Sequence, residues 1–134
     1  MHYELSIEDN SEKKIEISVE EIITSVSVVL SMNDSSRHMN ADVSISGKIK
    51  DESLNQTKEI LNWSKTTETD QKYKNITIKV YKYKNKKEGS LIRDFYFPSV
   101  YCVSYEEHFV GGLEGTFCLK LKQESDKVDK TVVE

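Results

Sequence analysis

Alternation of apolar and polar positions governs the first fifty residues. Tyr3, Leu5 and Ile7 alternate with polar side chains, as do Ile15, Ile17 and Val19, with Asp9, Asn10 and Ser11 between them as a turn. Val26, Val28 and Leu30 are set against Ser25, Ser27, Val29 and Ser31. After a polar stretch from Asn33 to Asn40, Val43, Ile45, Gly47 and Ile49 alternate with Asp42, Ser44, Ser46 and Lys48. Successive side chains of a strand point to opposite faces, so each segment predicts a strand with one face for a core and one for water or a partner.

Residues 51–65 change period. Leu54, Lys58, Leu61 and Lys65 recur at helical spacing, Thr57, Ile60 and Ser64 lie on the adjoining stripe, and Ser53 stands where a cap would bond an orphan backbone N–H. The spacing predicts one helix over about 53–64, with Trp63 near its end as a large apolar plug for one mouth of a barrel. Strands then resume. Ile76, Ile78 and Val80 share one face, and Thr77, Lys79, Tyr81 and Tyr83 the other. A turn from Asn85 to Gly89 leads into Leu91–Phe97, and a second hairpin joins Tyr101–Phe109 to Thr116–Lys122 around glycines that supply positive φ cheaply. Pro98, the sole proline, falls between two strands, where its missing N–H breaks no ladder bond. The expected fold is mainly β: a small antiparallel β-barrel of two packed sheets with one flanking α-helix. Residues 1–123 read as one domain and 124–134 as a polar tail, frayed unless a neighbour orders it.

Composition narrows the function. A chain of 134 residues fits one domain, and a net charge of −4 opposes non-specific attraction to nucleic acid or anionic lipid. The first residues carry Glu4, Glu8 and Asp9 where a signal peptide would have Lys or Arg and then an apolar run. Thr24, Ser25, Ser27 and Ser31 break the longest apolar-leaning stretch, Ile22–Met32, which is too short to span a bilayer. The expectation is synthesis in the cytoplasm without membrane insertion, with any release requiring a dedicated machine.

Candidate chemistry is sparse. His2, His38 and His108 belong to no metal-ligand spacing, and no cofactor or metal is expected. Cys102 and Cys118 lie in the two arms of the last hairpin, on the more polar parity of each strand. They are expected to face each other across the ladder as reduced packing thiols. Glu106 and Glu107, adjacent on a strand, point to opposite faces and cannot form an acid/base pair. Phosphate-loop, dinucleotide and nucleophile-elbow motifs are absent, so no enzyme is indicated. Lys72 to Arg93 is basic, with Tyr73, Tyr81 and Tyr83 interleaved. Three readings stay open for it: a solvated face, a binding surface for nucleic acid or another acidic partner, and one side of a charge-complementary self-interface. Glu12, Glu16, Glu20 and Glu21 would supply the acidic side of the last.

The run from Arg93 to Phe109 (RDFYFPSVYCVSYEEHF), followed by Gly115–Gln123 (GTFCLKLKQ), resembles the C-terminal half of the haemolysin-coregulated protein family. These are tube subunits of type VI secretion systems, related to phage tail-tube proteins and to tubes of extracellular contractile injection particles. Ile45–Ile49, the helix and the Tyr73–Tyr83 strand stand in the family's order, so the resemblance covers roughly Val43 to Gln123. It implies a barrel that assembles into hexameric rings stacked as a hollow tube, with sheath, spike or effector proteins as partners and no nucleic acid required. It also marks the polar loop with Asn33, Asp34, Arg37 and His38 as an arm touching a neighbouring subunit or ring. Lys82 and Lys84 from the basic segment, with Glu106, complete the candidate interface residues.

Overall fold

A computed structural model describes residues 1–9, 11, 13–33, 38–84, 89–123 and 125–134. The strands are β1 (His2–Glu8), β2 (Lys14–Ile17), β3 (Ile23–Asn33), β4 (His38–Ile49), β5 (Lys74–Tyr81), β6 (Leu91–His108), β7 (Gly115–Gln123) and β8 (Val132–Val133). A 3-10 turn at Asp51–Ser53 leads into helix α1 (Leu54–Ser64), a single turn α2 (Thr69–Lys72) follows, and a second 3-10 segment spans Ser125–Lys130. All pairings are antiparallel, in the order β2-β1-β5-β6-β7-β4-β3, with β8 added to β6.

The mainly β expectation holds, with one correction to its architecture. There is one sheet, and it does not close: β2 and β3 are its two ends, with no ladder between them among the described residues. The sheet bends over itself so that Leu5 and Ile7 of β1, Ile76 and Ile78 of β5, Val43 and Ile45 of β4, and Leu119 and Leu121 of β7 share one core. Those of β1, β4 and β5 are the alternating positions read from the sequence, and Leu119 and Leu121 join them from β7. Burial of such side chains contributes roughly 1.5–3 kcal/mol each.

Helix α1 starts close to its expected position and buries Thr57, Ile60 and Trp63. Ser53 does not cap it; its Oγ accepts from the Lys50 N–H at 3.0 Å and donates to the Lys48 carbonyl at 2.8 Å, tying the entry turn to the end of β4. Trp63 is buried and its Nε1–H donates to the Lys72 carbonyl at 2.9 Å, so the indole plugs the core with its one polar atom satisfied.

Three readings change in the last third. The two strands expected on either side of Pro98 are one strand, β6, eighteen residues long. Its first part pairs with β5 as far as Val100, and its second part pairs with β7 from Val100 onward. Between them Ser99 takes φ +54°, and the β5 register slips there. Gln123 covers the gap: its side-chain amide donates to the Pro98 carbonyl at 2.9 Å and the Lys127 carbonyl at 3.1 Å, and its Oε1 accepts from Thr131 Oγ1 at 2.9 Å. The chain after residue 124 is thereby brought back to β6, where the Asp94 and Glu134 backbones exchange bonds of 2.8 and 2.9 Å. Val128, within this return, is buried.

The cysteines are also corrected. The register slips between Cys102 and Ser104, which places Cys102 opposite Leu121 on the core side while Glu106 stands opposite Cys118 on the other face. Strict parity counting fails at a bulge, because one extra residue flips every following side chain. Thiols on opposite faces of a sheet cannot form a disulfide without moving the backbone. Burial pushes the Cys102 thiol up to about 11.

Candidate subunit interface

Four strands, β6-β7-β4-β3, form a panel with one covered and one bare face. The bare face is read from the register. Glu106, Cys118, Ser46 and Ser25 make one row across it, and Ser104, Lys120, Ser44 and Ser27 the next. The covered face carries Tyr105, Leu119, Ile45 and Val26 in the intervening row, packed on the core. Tyr105 donates to Glu107 at 2.8 Å, and burial holds its phenol far above its ordinary range. Glu106 and Glu107 thus lie on opposite faces as expected.

Among the described residues, both borders of this panel lack a ladder partner. β3 pairs only with β4, and no charged residue occurs from Ile22 to Asn33. On the far side, β5 leaves β6 at Val100, so Tyr101–His108 pairs with β7 alone. The start of β3 is held by a close approach: Lys48 N–H donates to the Ile22 carbonyl at 2.8 Å, and a Cβ on Gly47 would meet that carbonyl at 2.6 Å and the Phe117 ring at 2.7 Å. Only glycine fits there.

The residues singled out from the sequence are not brought to one place. Asn33 and His38 are paired backbones at the ends of β3 and β4, and Met39 and Asn40 continue β4; Asp34 and Arg37 lie outside the described residues. Lys82 lies over the Tyr83 ring at 5.5 Å, and Lys84 pairs with Glu21 at 3.2 Å, beside the opposite end of β3 from Asn33. Glu106 stands on the bare face, 3.0 Å from His108 Nε2, and belongs to the unpaired β6 border. Sequence reasoning noted the apolar run Ile22–Met32 but missed the β6 border, which follows from where β5 stops.

The basic segment does not form one face. Lys72 lies over the Tyr73 and Tyr101 rings, and Lys74 meets Asp9 at 3.3 Å and lies over Trp63. Lys79 stands between Glu4 and Asp94 in the register. His2, next to the first residue, is 3% exposed, stacked obliquely on Tyr81 across the ladder and 3.6 Å from Glu4. Among the described residues no His, Cys, Asp and Glu cluster could hold a metal ion, and no helix is long and apolar enough to cross a membrane. His108 and Cys102 face opposite ways. On the outer side of β1, β2 and β5, a shallow groove lines up Glu4, Glu8 and Glu16 with Lys14 and Lys79; Lys14 is held by Glu16 at 3.0 Å and Glu8 at 3.4 Å.

This architecture is an Hcp-like tail-tube fold. Solved structures share it over nearly the whole chain. The anti-feeding prophage baseplate, a six-fold symmetrised assembly, contains a chain with TM-score 0.56 and 11% identity, covering 99% of this chain and 92% of that one. Hcp1 from Flavobacterium johnsoniae has TM-score 0.55 and 15% identity over 92% and 90% of the two chains. A chain of the sheath–tube complex of an extracellular contractile injection system, PVC, has TM-score 0.54 and 13% identity over 99% and 88%. No protein-family model matches the sequence, and no curated protein does.

Proposed function

We infer that this chain is a structural tube subunit of a contractile injection apparatus, forming rings that stack around a hollow lumen. The observation that carries the reading is the pair of unpaired borders on one panel. β3, β4, β7 and β6 alternate in direction, so β3 of one copy meets β6 of the next antiparallel when the copies are related by rotation about an axis along the strands. Such a contact joins two different surfaces, and it closes into a ring when the rotation fits. The rest of the domain lies on the covered face, so copies set edge to edge splay apart on that side and the bare face becomes concave. Six-fold symmetry of the baseplate neighbour suits rings of six.

The reading needs no catalysis, and sheath, spike or effector proteins are its further partners; release or injection would follow from membership of the assembled apparatus. It is tested by sedimentation and negative-stain imaging at micromolar concentration. The expected species is several-fold heavier than 15.5 kDa, with ring-shaped particles. A chain that remains monomeric at high concentration rejects it.

A further inference from the structure

Turns between strands are ordinarily polar, because Gly, Asn, Asp and Ser suit the backbone and water solvates the tip. The β6–β7 connection is not. Phe109, Val110 and Leu113 are 68%, 59% and 73% exposed, a run of large apolar side chains at one extremity of the panel. Their display is built. The Leu113 N–H donates to the Val110 carbonyl at 3.0 Å, Gly112 takes φ +82° within that turn, and Glu114 is anchored to Lys48 and Lys50 at 3.5 Å each. The Phe109 ring lies so close to the backbone of Gly115 that a Cβ there would sit 2.7 Å from it. A compact apolar surface held rigid in water marks a contact site.

The opposite extremity carries its counterpart. Leu30 and Met32 of β3 and Met39 of β4 lie on the same face of the hairpin as buried Ala41 and Val43, by the pairings Leu30↔Ala41 and Met32↔Met39. β7 pairs with β4 only from Asp42 onward; the 125–130 segment packs on β4 and Ala41 is buried, while Leu30, Met32 and Met39 remain exposed at the end of the stripe. Tip and stripe point opposite ways along the strands and cannot meet within one chain. Two copies displaced along the strand direction bring them together.

We propose that the Phe109–Val110–Leu113 tip docks on the Leu30–Met32–Met39 stripe of a second copy, joining copies head to tail along the strand axis. This rests on the ring reading and assigns its axial contact, distinct from the lateral β3–β6 contact. Unbranched methionines suit the stripe, since they adapt to an incoming side chain. The twelve residues of β4 set the axial repeat at about 40 Å, at roughly 3.3 Å per residue.

Leu113→Asp and Met32→Asp test it, with circular dichroism confirming an unchanged fold, since both positions are exposed. Wild-type protein is expected to form stacks of many layers by negative stain, and each variant alone single rings with at least a tenfold loss of longer particles. A mixture of the two variants has one competent junction, the intact tip of Met32→Asp on the intact stripe of Leu113→Asp. It is expected to give double layers and nothing longer. Stacking by either variant alone, or a mixture that stays in single rings, overturns the proposal and leaves the ring reading standing. Wild-type protein that forms rings but never stacks also removes this contact alone, whereas a monomeric wild type removes both.

Discussion

β2 and β3 both end the sheet, yet they are built by opposite rules. β2 is four residues long, and its Lys14 is held between Glu8 and Glu16, so charge sits on the strand that an intruder would have to pair with. β3 is eleven residues long, carries no charge and no proline, and presents Ser25, Ser27 and Val29 outward. Short, charged edges are how proteins prevent edge-to-edge association, and long uncharged ones invite it. One molecule holding both has one edge defended and one left open, which is what a contact of defined direction requires.

The comparison breaks most visibly if lysines are moved onto β3. Ser27→Lys with Val29→Lys is expected to abolish assembly and leave a 15.5 kDa species in sedimentation, with folding stability within about 0.5 kcal/mol of wild type. A lysine at Glu16 on β2 should leave the assembled mass unchanged. Equal effects at both edges would erase the distinction.

Next in size is Gly47→Ala. The added Cβ has no room between the Ile22 carbonyl and the Phe117 ring, so the start of β3 must shift, costing about 1–3 kcal/mol in denaturant melts. Gln123→Ala removes the bonds that bridge Pro98 to the C-terminal return and should cost about 1–2 kcal/mol. Hydrogen exchange would show it as faster loss of protection at Asp94 and Glu134 than at β3.

Acid acts on the defended edge. Hydrogen bonds from Ser11, with Lys74 nearby, hold the Asp9 carboxyl down to about 2 from 3.8. A depressed carboxyl stabilises the folded state fully above 3.8, and that stabilisation is lost as pH falls toward 2. The β1–β2 hairpin should therefore loosen in that window while β3–β4 does not, and Asp9→Asn should flatten the response as followed by NMR. The smallest effect is chemical. With Cys102 pushed up to about 11, native monomer at pH 8 should label only at Cys118, and Cys118→Ser should remove the signal.

Much of this was legible in the sequence. Alternation at Tyr3–Ile7, Val43–Ile49 and Ile76–Val80 located core faces because a period of two survives wherever the strand is regular. It failed at Cys102, where a bulge shifts the count, and at Pro98, where a proline signal concealed a continuous strand. The C-terminal return was hidden because its attachment depends on one side chain, Gln123, and on backbone bonds that leave no periodic trace. Of the interface, Ile22–Met32 was visible as an uncharged run, whereas the β6 border exists only because β5 ends where it does. No pattern within β6 encodes that.

The rows Glu106–Cys118–Ser46–Ser25 and Ser104–Lys120–Ser44–Ser27 have a further consequence. The flanking rows of the same face, Tyr101–Lys122–Asp42–Val29 and His108–Thr116–Lys48, are charged. If this surface lines a bore, its middle is mostly short hydroxyl and thiol side chains and its two rims carry ions, so a threading polymer would be sorted by charge at the mouths rather than along the wall.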